Sequence, residues 1–215
     1  MMVNKKMLEE YCEHDRVSRA LKDLGRDHSN KFQSHKWLEE SVQKRMIYYN
    51  IYWDLLSTKS NKKILDVGGG YCSLSKLLHL NNDYTLLDIM AHDGSKVFKL
   101  KRLINLVLGD WYDFITTDKH YDIVIANDIF PNVDQRLELF LDKFLPICDE
   151  IRLSLTYYNI PRFYEVKRIN ADEVFHYLAW SGETLKNVLK KYNIDVDLTD
   201  DSIFPNGRSV YIVKE

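Results

Sequence analysis

The chain has 215 residues, of which 45% are hydrophobic and 29% charged, and its 30 basic and 32 acidic side chains leave a formal net charge of −2. This length and balance predict one globular domain with a full core, and the near-neutral charge argues against a sequence-independent nucleic-acid binder. The three cysteines, Cys12, Cys72 and Cys148, are scattered and form no Cys-x-x-Cys pair. We therefore expect a reducing, cytoplasmic location, and no apolar stretch indicates a signal peptide or a membrane span.

Residues 1–60 are polar and helical in pattern, and we predict that they form an N-terminal helical cap. An irregular helix is expected over residues 7–24. The clearest helix covers residues 34–56, with Ser34 as its N-cap and an apolar stripe at spacings of three and four. The stripe consists of Leu38, Val42, Met46, Tyr49, Trp53 and Leu56. This helix is expected to pack as core, and its aromatic residues also make it a candidate lid over a ligand.

From residue 61 onward, short apolar strands alternate with helical segments, which predicts a ligand-binding domain over residues 61–215. Strands are expected at 64–67, 84–87, 104–108, 123–126 and 151–155, and helices at 137–145 and 171–191. Two further strands at 194–198 and 209–213, joined by a Pro-Asn-Gly loop, predict an antiparallel hairpin at the end. The fold class is therefore α/β, a doubly wound and mostly parallel seven-stranded sheet with an antiparallel terminal hairpin strand.

A glycine turn follows the first predicted strand. Residues 63–75 read Lys-Ile-Leu-Asp-Val-Gly-Gly-Gly-Tyr-Cys-Ser-Leu-Ser, with Asp66 near the strand end and glycines at Gly68, Gly69 and Gly70. Glycines let the backbone turn tightly and approach a ligand closely, and the helix that follows directs its free N–H groups at the turn. The pattern indicates a nucleotide-like small molecule.

Polar residues also follow the next three strands. They are Asp88, Asp110 and the pair Asn127-Asp128. Ligands bind at the carboxyl ends of the strands in an open parallel sheet, so the recurrence indicates one site. Asp88 lies 22 residues after Asp66, where a carboxylate can accept hydrogen bonds from both hydroxyls of a ribose.

A dinucleotide such as NAD is the first alternative, and the sequence argues against it. The NAD fingerprint is Gly-x-Gly-x-x-Gly, but counting from Gly68 the last position is Ser73. Asp66 would also repel an anionic pyrophosphate at the helix N-terminus. A carboxylate suits a ligand with a positive centre instead.

The stretch from Ile64 to Tyr71 resembles motif I of the class I S-adenosylmethionine-dependent methyltransferases. The resemblance extends over most of residues 62–215 and includes Asp88, the Gly109-Asp110-Trp111 segment, the fourth strand and the terminal hairpin. The chain departs from the family pattern at Cys72, where a third glycine is frequent, and at Tyr71, which replaces a commonly small residue.

The resemblance implies S-adenosylmethionine as cofactor and assigns the first group of site residues. Asp66 would lie near the methionine amino group of the cofactor. The backbone of Gly68, Gly69 and Gly70 would pack against the cofactor, and Asp88 would hold the ribose.

The remaining cofactor residues would surround its two ends. Asp110 would face the adenine amino group, and Ile89 and Trp111 are candidates to pack against the adenine ring. Asn127 and Asp128 would lie at the methionine end and face the substrate.

The same resemblance narrows the methyl acceptor by exclusion. Nucleic-acid amino-methylating enzymes carry Asn/Asp-Pro-Pro-aromatic after the fourth strand, where this chain has Asn-Asp-Ile-Phe, and the Pro-Cys nucleophile of cytosine-C5 enzymes is missing. Metal-dependent catechol-type enzymes need oxygen ligands after the fifth strand, where this chain has Thr-Tyr-Tyr-Asn. We therefore expect no metal and a small-molecule acceptor.

The catalytic and acceptor-binding residues have two interpretations each. Asp128 is the candidate general base for a hydroxyl acceptor, and capping of the helix over residues 137–145 is its alternative role. Tyr157 and Tyr158 are candidate substrate contacts, with packing on the sheet as their alternative. The tyrosine-rich surroundings favour O-methylation of a sugar or a sugar-linked hydroxyl.

Two other functions stay open at this point. The first is methylation of a protein or an RNA nucleotide. The second is a catalytically silent cofactor-binding protein that regulates or scaffolds a partner. No membrane or nucleic-acid partner is expected, and a homo-oligomer is left open.

Overall fold

The computed structural model describes residues 1–25, 28–57, 59–167, 174–199 and 201–215. The strands are β1 (Met2–Val3), β2 (Lys63–Val67), β3 (Asp83–Asp88), β4 (Asn105–Leu108), β5 (Tyr121–Asn127), β6 (Cys148–Tyr157), β7 (Arg162–Lys167), β8 (Val174–Ala179) and β9 (Ser209–Lys214). The α-helices are α1 (Lys5–Cys12), α2 (Arg16–Asp23), α3 (Gln33–Glu40), α4 (Val42–Leu56), α5 (Ser73–Asn81), α6 (Leu137–Phe144) and α7 (Gly182–Lys190). Short 3₁₀ helices cover His28–Lys31, Gly94–Arg102, Trp111–Asp113 and Leu145–Ile147.

Seven strands form one sheet in the order β1-β9-β6-β5-β2-β3-β4. Pairing is parallel from β6 through β4, and β9 is antiparallel to both of its neighbours. This confirms the predicted α/β class and its mostly parallel, seven-stranded sheet. The carboxyl ends of β2, β3, β4 and β5 therefore meet at one edge, where the sequence places its glycine turn and acidic residues.

The terminal hairpin differs from the prediction. Residues 194–198 form no strand, and β9 pairs with β6 and with the unpredicted edge strand β1. The alternation at 194–198 has another cause, since Ile194 and Val196 are buried and pack into the apolar layer that α6 and α7 form on the sheet. Alternate residues are therefore buried at 194–198 although the segment pairs with no strand, since β1 and β6 occupy the two positions beside β9.

The predicted helix over residues 171–191 is wrong in its first part. Residues 174–179 form β8, which pairs antiparallel with β7 as a separate two-stranded sheet, and α7 begins only at Gly182 after its N-cap Ser181. Val174, Phe175 and Tyr177 are β-branched or aromatic residues that favour a strand. Residues 171–173 lie outside the described part of the chain.

The N-terminal helices are shorter than predicted. The segment 34–56 is broken at Ser41, whose extended backbone separates α3 from α4 and whose Oγ accepts a hydrogen bond from the Lys44 N–H at 3.3 Å. Ser34 lies inside the first turn of α3 and is not its N-cap. The segment 7–24 likewise contains two helices, because the Asp15 side chain caps the start of α2.

The N-terminal region and the rest of the chain share one sheet and one core. Strand β1 pairs with β9, and α4 packs against β5, β6 and β9. Ile51 and Tyr52 of α4 are fully buried, and the Arg152 Nη1 atom on β6 donates a 2.7 Å hydrogen bond to the Ile51 carbonyl oxygen. None of the helices in the described ranges combines the length and apolar character needed to cross a bilayer.

We expect Ile51→Ala to lower the free energy of unfolding by about 2–4 kcal/mol, because it leaves a cavity between α4 and the sheet. Leu139→Ala is the matched control, since Leu139 lies on α6 with 46% of its surface exposed and its loss should change stability by less than about 0.5 kcal/mol. Urea titration of the intact protein measures both values. Equal effects of the two substitutions would contradict the shared core.

Candidate functional site

A cavity of about 730 Å³ opens at the carboxyl ends of β2–β5. Its volume lies within the range of small-molecule sites. Nine of the site residues predicted from the sequence line it: Gly68, Gly69, Gly70, Asp88, Ile89, Asp110, Trp111, Asn127 and Asp128. Helices α3 and α4, the β7–β8 hairpin and Arg208 supply further walls.

The glycine turn fits closely between β2 and α3. Gly68 and Gly70 both have φ of +64°, in the left-handed region that favours glycine. A Cβ on Gly69 would collide with the Asp66 carboxylate, and one on Gly70 would collide with the Ser34 hydroxyl of α3. The turn therefore requires glycine for its conformation and for its close contacts.

Cys72 occupies a position where a side chain is tolerated. Its backbone is extended, with φ of −139°, and it forms the N-cap of α5. Its N–H donates to the Ser75 Oγ at 3.2 Å, and burial raises the pKa of the thiol. Tyr71 is also fully buried, edge-to-face against Phe32. The two departures from the family pattern are therefore buried beside the turn, and Cys72 also contributes to the cavity lining.

Asp88 joins the ends of β2 and β3. Its Oδ2 accepts the Gly70 N–H at 2.9 Å, and its Oδ1 accepts the Met90 N–H at 2.6 Å. Burial raises the pKa of this carboxyl, against the effect of the two N–H donors. Each oxygen keeps a further lone pair, so the carboxylate can still accept hydrogen bonds from a ligand in the cavity.

Asp66 lies beneath the turn rather than in the cavity lining. It is almost fully buried, and its two oxygens accept hydrogen bonds from the hydroxyls of Tyr52 at 3.0 Å and Tyr84 at 2.7 Å. Burial raises the pKa of Asp66 to about 7, although both hydroxyls act in the opposite direction. The carboxyl group therefore holds its proton to a much higher pH than an exposed aspartate does.

This shifted pKa predicts a pH-dependent stability. The unfolded carboxyl loses its proton near pH 3.8, whereas the folded one keeps it up to about pH 7. Its contribution to stability is therefore fully present below the unfolded pKa and is lost as the pH rises through about 7. We expect Asp66→Asn, which stays neutral, to gain stability relative to the parent by up to about 4 kcal/mol between pH 4 and 8. Melting curves at several pH values measure this, and parallel pH profiles would contradict it.

Asp110 and Trp111 belong to an ionic cluster at one end of the cavity. Arg136 Nη2 bonds Asp110 at 2.9 Å and Asp134 at 2.6 Å, while its guanidinium lies 4.7 Å from the Trp111 ring centre. The Trp111 indole donates to Asp134 Oδ2 at 2.8 Å, and its ring is buried. Ile89 is 53% exposed in the same region. Neither Arg136 nor Asp134 is among the site residues predicted from the sequence.

Asp128 lies between two cations at the other end. Its φ of +60° turns the chain out of β5. Its Oδ2 accepts from Lys44 Nζ at 3.1 Å, and its Oδ1 accepts from Arg208 Nη1 and Asn132 Nδ2, both at 3.0 Å. Burial acts to raise the pKa of Asp128, but Arg208 and Lys44 outweigh it and hold that pKa below its usual value. Asp128 is therefore ionised and weakly basic, which does not favour a role as general base.

Asn127 and Asp128 are both held by Ser154 of β6. The Ser154 hydroxyl donates to Asn127 Oδ1 at 2.7 Å and accepts the Asp128 N–H at 2.8 Å. This arrangement fixes the chain where it leaves β5. It also orients the Asn127 side chain at the cavity wall.

The structure does not bring Tyr157 and Tyr158 into the cavity lining. Both are buried at the end of β6, where the Tyr157 hydroxyl donates to the Thr199 carbonyl oxygen at 2.6 Å and the Tyr158 ring packs near Tyr164. Their role as substrate contacts stays a prediction.

Further wall residues that were not predicted from the sequence include Trp37, Lys44, Phe175, Tyr177 and Arg208. Trp37 and Lys44 lie off the apolar stripe of the predicted helix. Phe175 and Tyr177 lie on β8, within the segment 171–191 for which a single helix is predicted. Within the described ranges, no group of three or more His, Cys, Asp or Glu side chains could hold a metal ion.

No protein-family model matches the sequence, and no curated protein sequence matches it. Several solved structures, however, match the structure of this chain. Burkholderia thailandensis 1,6-didemethyltoxoflavin-N1-methyltransferase, with bound 1,6-didemethyltoxoflavin and S-adenosylhomocysteine, has a TM-score of 0.55 at 14% identity, over 96% of this chain and 89% of that chain. DhpI in complex with SAM and HEP has a TM-score of 0.53 at 12% identity, over 99% of both chains.

Magnesium protoporphyrin IX methyltransferase (ChlM) from Synechocystis PCC 6803, with bound SAM, has a TM-score of 0.51 at 13% identity, over 100% of this chain and 97% of that chain. At such identities the likeness establishes the fold, and it agrees with the resemblance carried by the stretch from Ile64 to Tyr71. The chain has the fold of the class I, Rossmann-like S-adenosylmethionine-dependent methyltransferases.

Proposed function

We propose that the protein is an S-adenosylmethionine-dependent methyltransferase that acts on a small polar acceptor. The observation that carries this proposal is the glycine turn at the cavity, held to Asp88 by the Gly70 N–H. Solved structures with the same fold contain the cofactor or its demethylated form. A cytoplasmic location belongs to the same proposal, because the three cysteines are free.

The residues around the turn fit this cofactor. A Cβ on Gly69 or Gly70 would collide with Asp66 or Ser34, so the turn carries no side chain and lines the cavity with its backbone. Asp88 would accept the ribose hydroxyls, and Asp66, beneath the turn, would place negative charge near the amino group. Ile89, Asp110 and Trp111 would surround the adenine.

The acceptor would occupy the end of the cavity near Asn127 and Asp128. The bound cofactor supplies an activated methyl group, so positioning of the acceptor provides much of the rate. Trp37, Phe175 and Tyr177 line this cavity together with Lys44, and aromatic side chains of this kind suit the ring of a sugar-linked hydroxyl acceptor. A pocket formed by α3, α4 and the hairpin favours a small molecule over an RNA or protein segment.

Calorimetry with S-adenosylmethionine and S-adenosylhomocysteine tests the first step. We expect saturable binding of one cofactor per chain. The absence of any binding heat, with no shift in melting temperature, would refute the proposal. Methyl transfer from labelled cofactor to a panel of metabolites then separates an enzyme from a catalytically silent cofactor-binding scaffold.

Asp88→Ala should weaken S-adenosylhomocysteine binding by about 1–3 kcal/mol, because it removes a charged hydrogen-bond acceptor from the cofactor site. Asp83→Ala is the matched control, since Asp83 is an exposed aspartate at the opposite end of the same strand. The affinity of Asp83→Ala protein for S-adenosylhomocysteine should equal that of the parent. Asp88→Ala protein that is folded and binds with unchanged affinity would remove Asp88 from the site.

A further inference from the structure

We propose that the methyl acceptor carries an anionic group of the carboxylate or phosphate class, which Lys44 and Arg208 bind at the Asp128 end of the cavity. The inference rests on the proposed function and names the chemical class of its acceptor. It comes from the side chains that converge on Asp128.

Three separate elements bring these charges together. Lys44 comes from α4, Asp128 follows β5, and Arg208 precedes β9. Both cations contact the same carboxylate, at 3.1 Å and 3.0 Å. The cluster therefore keeps one positive charge after internal pairing, at the wall of a cavity that all three residues line.

Arg208 has more donors than its surroundings use. Nine-tenths of its side chain is buried, its guanidinium lies 3.9 Å from the Phe204 ring centre, and Nη1 bonds Asp128. Within the described residues, Nε is inaccessible and makes no hydrogen bond, so Nη2 is the donor left for a ligand in the cavity. A buried guanidinium with unused donors is costly without a further acceptor, and its planar fork matches carboxylate and phosphate oxygens.

Lys44 is positioned to share the same anion. Its Nζ lies 4.5 Å from the centre of the Trp37 ring and 3.1 Å from Asp128 Oδ2, with 27% of the side chain exposed. An ammonium has three donors, so the Asp128 contact leaves capacity for a ligand. Trp37 is itself part of the cavity wall, so an anion bound at Lys44 would place the rest of the acceptor against an aromatic surface.

The opposite end of the cavity carries the reverse charge. There Arg136 is the shared partner of Asp110 and Asp134, which leaves that cluster with one negative charge. The negatively charged Asp110 end, where the adenine would lie, repels an anionic group, so the positively charged Asp128 end is the favoured place for an anionic acceptor. A neutral hydroxyl acceptor would leave the second cation of the Asp128 cluster without a role.

The test uses protein saturated with S-adenosylhomocysteine and four probes of one shape. Phenyl phosphate, benzoate, benzamide and benzylamine are titrated by calorimetry at constant ionic strength. We expect at least one anionic probe to bind about tenfold more tightly than benzamide, as for a charge-assisted hydrogen bond. Lys44→Met should remove most of that preference, because it keeps the length of the side chain but not its charge.

Lys36→Met is the matched control. Lys36 is an exposed lysine on α3 next to Trp37 but outside the cavity lining, so its loss should leave anion binding unchanged. Tighter binding of phenyl phosphate would assign the phosphate class, and tighter binding of benzoate the carboxylate class.

Four results would overturn the inference: no binding of either anion, equal binding of anions and benzamide, tighter binding of benzylamine, or unchanged anion binding in folded Lys44→Met protein. Any of these with intact S-adenosylhomocysteine binding leaves the proposed function standing. Failure of S-adenosylhomocysteine itself to bind refutes the proposed function, and the inference falls with it.

Discussion

The buried carboxyl of Asp66 is the interaction on which the cavity depends. It accepts hydrogen bonds from the hydroxyls of Tyr52 on α4 and Tyr84 on β3, and it lies under the backbone of Gly69. One acidic group therefore links the N-terminal helices, two central strands and the glycine turn. Because an unpaired carboxylate in this position would be strongly destabilising, the two tyrosines and the carboxyl form a single structural unit. This explains why α4 belongs to the core as well as to the cavity wall.

The other acidic residues at the strand ends are each held by a different kind of partner. Asp88 is held by backbone N–H groups, Asp110 shares Arg136 with Asp134, and Asp128 is bonded by two cations. The acidic residues at the strand ends thus have different partners, and burial raises the pKa of Asp88 whereas Arg208 and Lys44 lower the pKa of Asp128. The sequence shows only that each acidic residue follows a strand. It does not show their different partners, because these lie on other elements. A carboxylate that looks suited to accept a proton can instead be a fixed anion that orients cations.

The sequence predicts the parts of the molecule that local patterns determine. Strand ends, the glycine turn and the nine cavity-lining residues follow from periodicity, strand-end polarity and a family resemblance. Contacts between residues far apart in the sequence cannot be predicted from local patterns. Lys44 and Arg208, for example, lie 84 and 80 residues from Asp128 in the chain. The strand that begins at Val174 could not be predicted because its pairing depends on β7, and the predicted strand at 194–198 is wrong because burial alone can produce the same alternation.

The close approach of Ser34 to Gly70 links two parts of the cavity mechanically. A single methyl group on Gly70 would occupy the space of the Ser34 hydroxyl. One turn further along α3, Trp37 lines the cavity beside Lys44. The backbone of the glycine turn and the Ser34 side chain are already in contact, so α3 can come no closer to the turn. A side chain at position 70 would therefore push α3 away from the turn and move Trp37 with it.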